Sequence, residues 1–126
     1  MKKIKDHYFY KAKKDGYAAR SVYKIEEIDK KYRIIRTGNK VLDLGCSPGS
    51  WLQYASRKVG NSGHVLGVDL QPVKISLPSH VKVIQADIFE VSDEELKIKG
   101  GKVDVILSDM APKTSGIRTT DVHRSF

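Results

Sequence analysis

Four short apolar runs joined by crossovers predict an α/β domain on a parallel sheet, because each run is apolar on both faces. Two further observations support this. The run Val41–Leu44 passes directly into a glycine-proline turn, Gly45–Gly49, and then into an amphipathic stretch, Ser50–Val59. Acidic residues then recur at the ends of the later runs. A length of 126 residues suits one domain with one core.

The elements follow in order. Residues 1–17 have weak periodicity and are expected to wrap the surface ahead of a first helix. Arg20–Lys31 reads as that helix: Val22, Ile25 and Ile28 recur on one face, with Glu26/Lys30 and Glu27/Lys31 pairs on the wet side. Val41–Leu44 is the first buried strand and Ser50–Val59 the next helix, ended by Gly60-Asn61 and Gly63. Val65–Val68 is the second strand, with Asp69 at its end. Residues 70–80, broken by Pro72 and Pro78, form no regular helix and lead into a third strand, Val81–Ile84. Ser92 and Glu95 make a capping box for a short helix stopped by Gly100-Gly101. Val103–Leu107 is the fourth strand.

Charge is uneven. The net charge is +8, and residues 1–33 hold 11 Lys/Arg against 5 Asp/Glu. Basic residues alternate there with His7, Tyr8, Phe9, Tyr10, Tyr17 and Tyr23. Such a segment reads equally as a nucleic-acid surface, with rings that stack on bases, or as a solvated arm anchored to the core by its aromatics. No run approaches the roughly 18 apolar residues of a membrane helix. The single cysteine, Cys46, suits a reducing compartment, so the expected location is the cytoplasm.

The chemistry centres on the turn. Gly45-x-x-x-Gly49 lets main-chain N–H groups approach a ligand with no Cβ in the way. It only partly meets the dinucleotide fingerprint, and it lacks the Gly-Lys-Ser/Thr of a triphosphate loop. Asp69, 20 residues after Gly49, is placed to accept from both hydroxyls of a ribose. Asp87 is placed to accept from an adenine amine, and Asp43 to attract a cationic centre or hold the loop. Asp43, Asp69, Asp87 and Asp109 converge on one sheet edge. An adenosine with a cationic, non-phosphate tail is implied, which fits S-adenosylmethionine. After Ser108-Asp-Met-Ala-Pro112 stands Lys113, where a base-methylating site would carry an aromatic to stack a flipped base, so a sugar hydroxyl is the better target.

Five stretches together resemble the FtsJ/RrmJ family of ribosomal RNA 2′-O-ribose methyltransferases. They are Ser21-Val-Tyr-Lys24, Val41-Leu-Asp-Leu-Gly-Cys-Ser-Pro-Gly-Ser-Trp51, Val68-Asp-Leu-Gln-Pro72, Gln85-Ala-Asp-Ile-Phe89 and Ser108-Asp-Met-Ala-Pro112. The resemblance implies the N-terminal part of a Rossmann-like class I methyltransferase fold. It also implies methyl transfer from S-adenosylmethionine to a ribose 2′-hydroxyl of RNA, with large-subunit ribosomal RNA or a ribosomal particle as partner and transfer RNA as the alternative. The family's Lys-Asp-Lys-Glu tetrad maps its first two members to Lys24 and Asp109. Its cofactor contacts map to Gly49, Trp51, Asp69, Asp87 and Asp109, beside Asp43 and Gly45 from the reading above. Trp51 is expected to pack its helix against the loop rather than to stack on RNA.

The family's loop is Gly-Ala-Ala-Pro-Gly-Gly-Trp, so Cys46, Ser47 and Ser50 depart from it with small residues that keep its shape. Cys46 is expected to be a packed thiol. The tetrad's second lysine and its glutamate have no counterpart before Phe126, which suggests a chain truncated at its C-terminus, or a partner chain over the edge of the fourth strand. A non-catalytic cofactor- or RNA-binding module is therefore a second reading, and a nicotinamide oxidoreductase a remote third.

Overall fold

The computed structural model describes residues 2–96 and 101–108, with side chains from His7 onward. Three helices and four strands are present among them: α1 (Lys2–Asp15), α2 (Val22–Tyr32), β1 (Lys40–Leu44), α3 (Ser50–Val59), β2 (His64–Asp69), β3 (Val81–Gln85) and β4 (Val105–Ser108). All strand pairs are parallel, in the order β3-β2-β1-β4. The expected α/β architecture is borne out. Residues 70–80 contain no helix or strand, as Pro72 and Pro78 require.

Side chains alternate across the sheet. Val41, Val65 and Leu107 pack with Val22 and Ile25 of α2 and with Leu52, Ala55 and Val59 of α3. Leu42, Leu66 and Val68 face the other way, against Ile84, Ala86, Ile88, Leu96 and Ile106. Two covered faces explain why β1 and β2 read as unbroken apolar runs rather than as alternating ones.

The start of the chain corrects the sequence reading. Residues expected to wrap the surface form α1, a helix ended by Gly16 at φ +81°. The Gly16 and Tyr17 amides donate back to the Lys13 and Ala12 carbonyls at 3.2 and 2.8 Å, a glycine-terminated helix end. Its periodicity is weak because Ala12 is its one buried side chain among those described, while Tyr8, Phe9 and Tyr10 remain exposed.

β4 begins two residues later than expected. The Asp104 amide donates to the Lys40 carbonyl and its Oδ2 accepts from the Lys40 amide, both at 2.8 Å, fixing the register before the strand starts. The capping box forms: the Glu95 amide donates to Ser92 Oγ at 3.2 Å, and Glu95 Oε1 accepts from the Ser92 amide at 3.4 Å. The short helix expected after it does not form over Asp93–Leu96, which are turn; residues 97–100 lie outside the described residues, as do Asp109 and the rest of Ser108-Asp-Met-Ala-Pro112.

Candidate active site

β1 is central, so its C-terminal end is flanked by strands on both sides: Leu44 pairs with Val68 and with Ser108. The chain leaves β1 at Gly45, φ +80°, and curls onto β2. The amides of Gly45 and Cys46 both donate to the Val68 carbonyl, at 2.7 and 3.2 Å. The Ser47–Pro48 peptide is cis, and Gly49 opens α3 at φ +118°. A Cβ at Gly49 would stand 2.7 Å from Ile75 Cδ1 and 3.1 Å from Val73 Cγ1. Glycine is required there by conformation and by space.

Asp69 fastens this turn to the sheet. Its Oδ2 accepts from the Ser47 amide at 2.9 Å and its Oδ1 from the Gln71 amide at 2.8 Å. A carboxylate has about four acceptor sites, so this half-buried group retains capacity for ligand hydroxyls. Asp87 stands one strand over, its Oδ1 accepting from the Phe89 amide at 2.9 Å. The two strand ends are tied by the Ala86 amide, which donates to the Asp69 carbonyl at 3.0 Å. Asp43 is buried within β1, opposite Gly67, which places its negative charge beneath the turn.

Cys46 is buried, and its thiol is pushed up to about 12 by burial, with the charges of Asp43 and Asp69 adding to the effect. At neutral pH it is a protonated packing group, in line with its expected role. Its neighbour Gly67 is a residue that motif reading missed. A Cβ at Gly67 would lie 2.7 Å from Leu52 Cδ2 and 2.8 Å from Cys46 Sγ. The signal was available: a glycine inside an apolar strand marks close approach of another segment.

Trp51 packs as expected, but its polar atom points elsewhere. Nε1 donates to the Ser21 carbonyl at 2.9 Å, and Ser50 and Ser21 share a hydroxyl hydrogen bond of 2.9 Å. These bonds join the start of α3 to the start of α2, one turn before Lys24. Lys24 is exposed and lines a cleft of about 590 Å³ together with Trp51, Leu107 and Ser108. The cleft thus brings the upstream lysine to the end of β4. Ser108 Oγ is buried there with no hydrogen-bond partner among the described residues.

The structure therefore brings together Asp43, Gly45, Gly49 and Asp69 at the turn, with Asp87 at the end of the next strand beyond Asp69 and Trp51 bridging to the α2 helix that carries Lys24. No cluster of metal-ligating side chains occurs among the described residues, and no helix among them is long and apolar enough to cross a membrane.

Comparison with known proteins agrees with this geometry. Residues 17–126 match the model of the FtsJ-like methyltransferase family. The ribosomal RNA large subunit methyltransferase E of Syntrophobacter fumaroxidans is 52% identical over 123 residues, covering 97% of this chain and 62% of that protein. The protein of the same name from Bdellovibrio bacteriovorus is 54% identical over 125 residues, covering 97% and 63%. A crystal structure of a ribosomal RNA methyltransferase from Plasmodium falciparum superposes with a TM-score of 0.66 at 31% identity, over 86% of this chain and 64% of that one. The chain thus spans about three fifths of the curated relatives it matches. Strand order, glycine turn and family match converge: the chain belongs to the FtsJ-like methyltransferase family.

Proposed function

We propose that the protein transfers a methyl group from S-adenosylmethionine to a ribose 2′-hydroxyl of RNA, with large-subunit ribosomal RNA as the substrate. The observation that carries this reading is the juxtaposition at one sheet edge of the Asp69-fastened glycine turn and the Lys24–Ser108 cleft. The names of the relatives support the choice of ribosomal RNA.

The residues present fit the cofactor. Gly45 and Gly49 give the turn its positive-φ shape, Asp69 has acceptor capacity for ribose hydroxyls, and Asp87 stands one strand further for an amine. Asp43 adds negative charge suited to a sulfonium, and no lysine stands in the turn to demand a phosphate. S-adenosylmethionine, when bound, supplies an electrophilic methyl group.

The acceptor side falls to the protein. A ribose hydroxyl is a poor nucleophile at neutral pH, so it must be aligned and relieved of its proton as the new bond forms. Lys24, held on α2, and Asp109, next in sequence to Ser108, are assigned to positioning that oxygen. The cationic segment 1–33 is assigned to the RNA backbone, where phosphate contacts orient the substrate without reading its sequence.

The test incubates the full-length protein with large ribosomal subunits and an isotopically labelled methyl donor, then digests the RNA with alkali. Alkaline cleavage uses the 2′-oxygen, so a 2′-O-methyl group leaves labelled, uncleaved dinucleotides. Label confined to mononucleotides would contradict the reading. Lys24→Ala is expected to slow transfer about 10²- to 10⁴-fold while leaving cofactor affinity unchanged.

A further inference from the structure

Lys24 also lines a second cleft. The α1–α2 junction forms an open groove of about 470 Å³ between Tyr8, Arg20, Ser21, Tyr23, Lys24 and Glu27. That volume falls in the range of about 300–1,000 Å³ usual for small-molecule sites. Three of its side chains come from one stripe of α2 and the residues just before it, because Arg20, Lys24 and Glu27 are spaced by four and three. All three are exposed.

The opposite wall is aromatic. Tyr8 keeps 43% of its surface open, and its ring centroid lies 5.7 Å from that of Tyr23. Tyr23 is itself held fast, its hydroxyl donating to Asp15 Oδ2 at 2.7 Å and its ring capped by Lys11 Nζ at 4.4 Å. Tyr8 is thus a buttressed ring with much of its surface exposed, beside the cation Arg20. Single-stranded RNA is bound in this way, by bases stacked on aromatic rings and phosphates met by arginine. Neither Tyr8 nor Arg20 belongs to the buried core or to the glycine turn.

We propose that this cleft seats the nucleotide adjoining the one whose ribose reaches Lys24, with its base stacked on Tyr8 and its phosphate on Arg20. Charge sets the orientation. Glu27 repels a phosphate and accepts only, so the anionic backbone lies at the Arg20 end and the N–H donors of the base edge face Glu27. The inference rests on the reading of Lys24 given above, and it adds the surface that feeds RNA to that lysine.

The test uses the full-length protein and a short single-stranded oligoribonucleotide carrying one 2-aminopurine, whose fluorescence falls when the base stacks. No cofactor is added. The wild type is expected to quench the probe, and Tyr8→Phe to retain that quenching. Tyr8→Ala is expected to bind the oligonucleotide about 5- to 150-fold more weakly. Arg20→Gln is expected to raise KM for RNA with kcat preserved. Far-UV circular dichroism checks that each variant is folded, and the Phe variant keeps the test decisive where the Ala variant fails to fold. An unquenched wild type, or a Tyr8→Phe variant as weak as Tyr8→Ala, overturns the subsite. Quenching that survives in a protein unable to methylate RNA supports the subsite and overturns the catalytic reading alone.

Discussion

Two aspartates illustrate opposite uses of one side chain. Asp29, near the end of α2, is only 2% exposed. Its Oδ1 accepts from the Ile35 amide at 2.9 Å, its Oδ2 from the Tyr54 hydroxyl at 2.7 Å, and Lys58 Nζ stands 3.6 Å away. Burial and the Asp29 carboxylate together raise the Tyr54 pKa, which keeps the phenol a donor. Asp69 likewise holds two amides, but it is only half-buried, so acceptor capacity remains open at the strand end. The enclosed carboxylate ties α2 to α3 and the chain beyond, and so serves stability. The open one fastens a loop while keeping acceptor capacity, which is the basis of the binding role proposed for it.

The largest expected effect separates them by stability. Asp29→Ala leaves the Tyr54 hydroxyl and the Ile35 amide buried without their partner, and is expected to cost about 3–5 kcal/mol. A lowered urea midpoint with unchanged cofactor affinity in the folded fraction would bear this out. Asp69→Asn should reverse the pattern. Loss of charged acceptor strength toward ribose hydroxyls, about 1.5–3 kcal/mol, would weaken cofactor binding at least tenfold by calorimetry, and the midpoint should fall less than in Asp29→Ala, since one of the two half-exposed backbone bonds is lost.

Gly67→Ala sharpens the contrast at the point where the turn rests on β2. A Cβ there meets Leu52 and Cys46, and such overpacking is expected to cost about 1–3 kcal/mol. The same change should displace the turn, so both the midpoint and cofactor affinity should fall.

The smallest effect belongs to Cys46. Its folded pKa, about 12, lies above an ordinary value of 9.0, so the folded state holds the proton more tightly. The stabilisation from the neutral thiol is fully present below pH 9.0 and is lost as pH rises toward about 12. Urea midpoints should therefore decline over that window in the wild type and decline less in Cys46→Ala. Native protein at pH 8 should also resist alkylation that proceeds readily in denaturant.

Most of the sheet and the turn were legible in the sequence, because parallel strands buried on both faces advertise themselves as apolar runs and glycine marks a forced backbone. Ser50–Val59 emerged as expected, and so did the irregular stretch around Pro72 and Pro78. The helix α1 was not legible, since one buried alanine leaves no stripe to read and, of its exposed rings, Tyr8 packs on Tyr23 while Phe9 and Tyr10 pack on each other. The structural role of Asp69 was also hidden. Its spacing from Gly49 points to a ligand, whereas its bond to the Ser47 amide depends on how the turn folds back over β2. Asp29 gave no signal at all, because a charged residue on a helix looks solvated until the partner helix is placed.

The most direct test titrates S-adenosylmethionine calorimetrically into the wild type, Asp69→Asn and Asp29→Ala, with urea unfolding on the same samples. The account predicts affinity lost at Asp69 alone and stability lost chiefly at Asp29. Equal affinity in the wild type and Asp69→Asn would contradict it, because the glycine turn and its carboxylate would then not be the cofactor site.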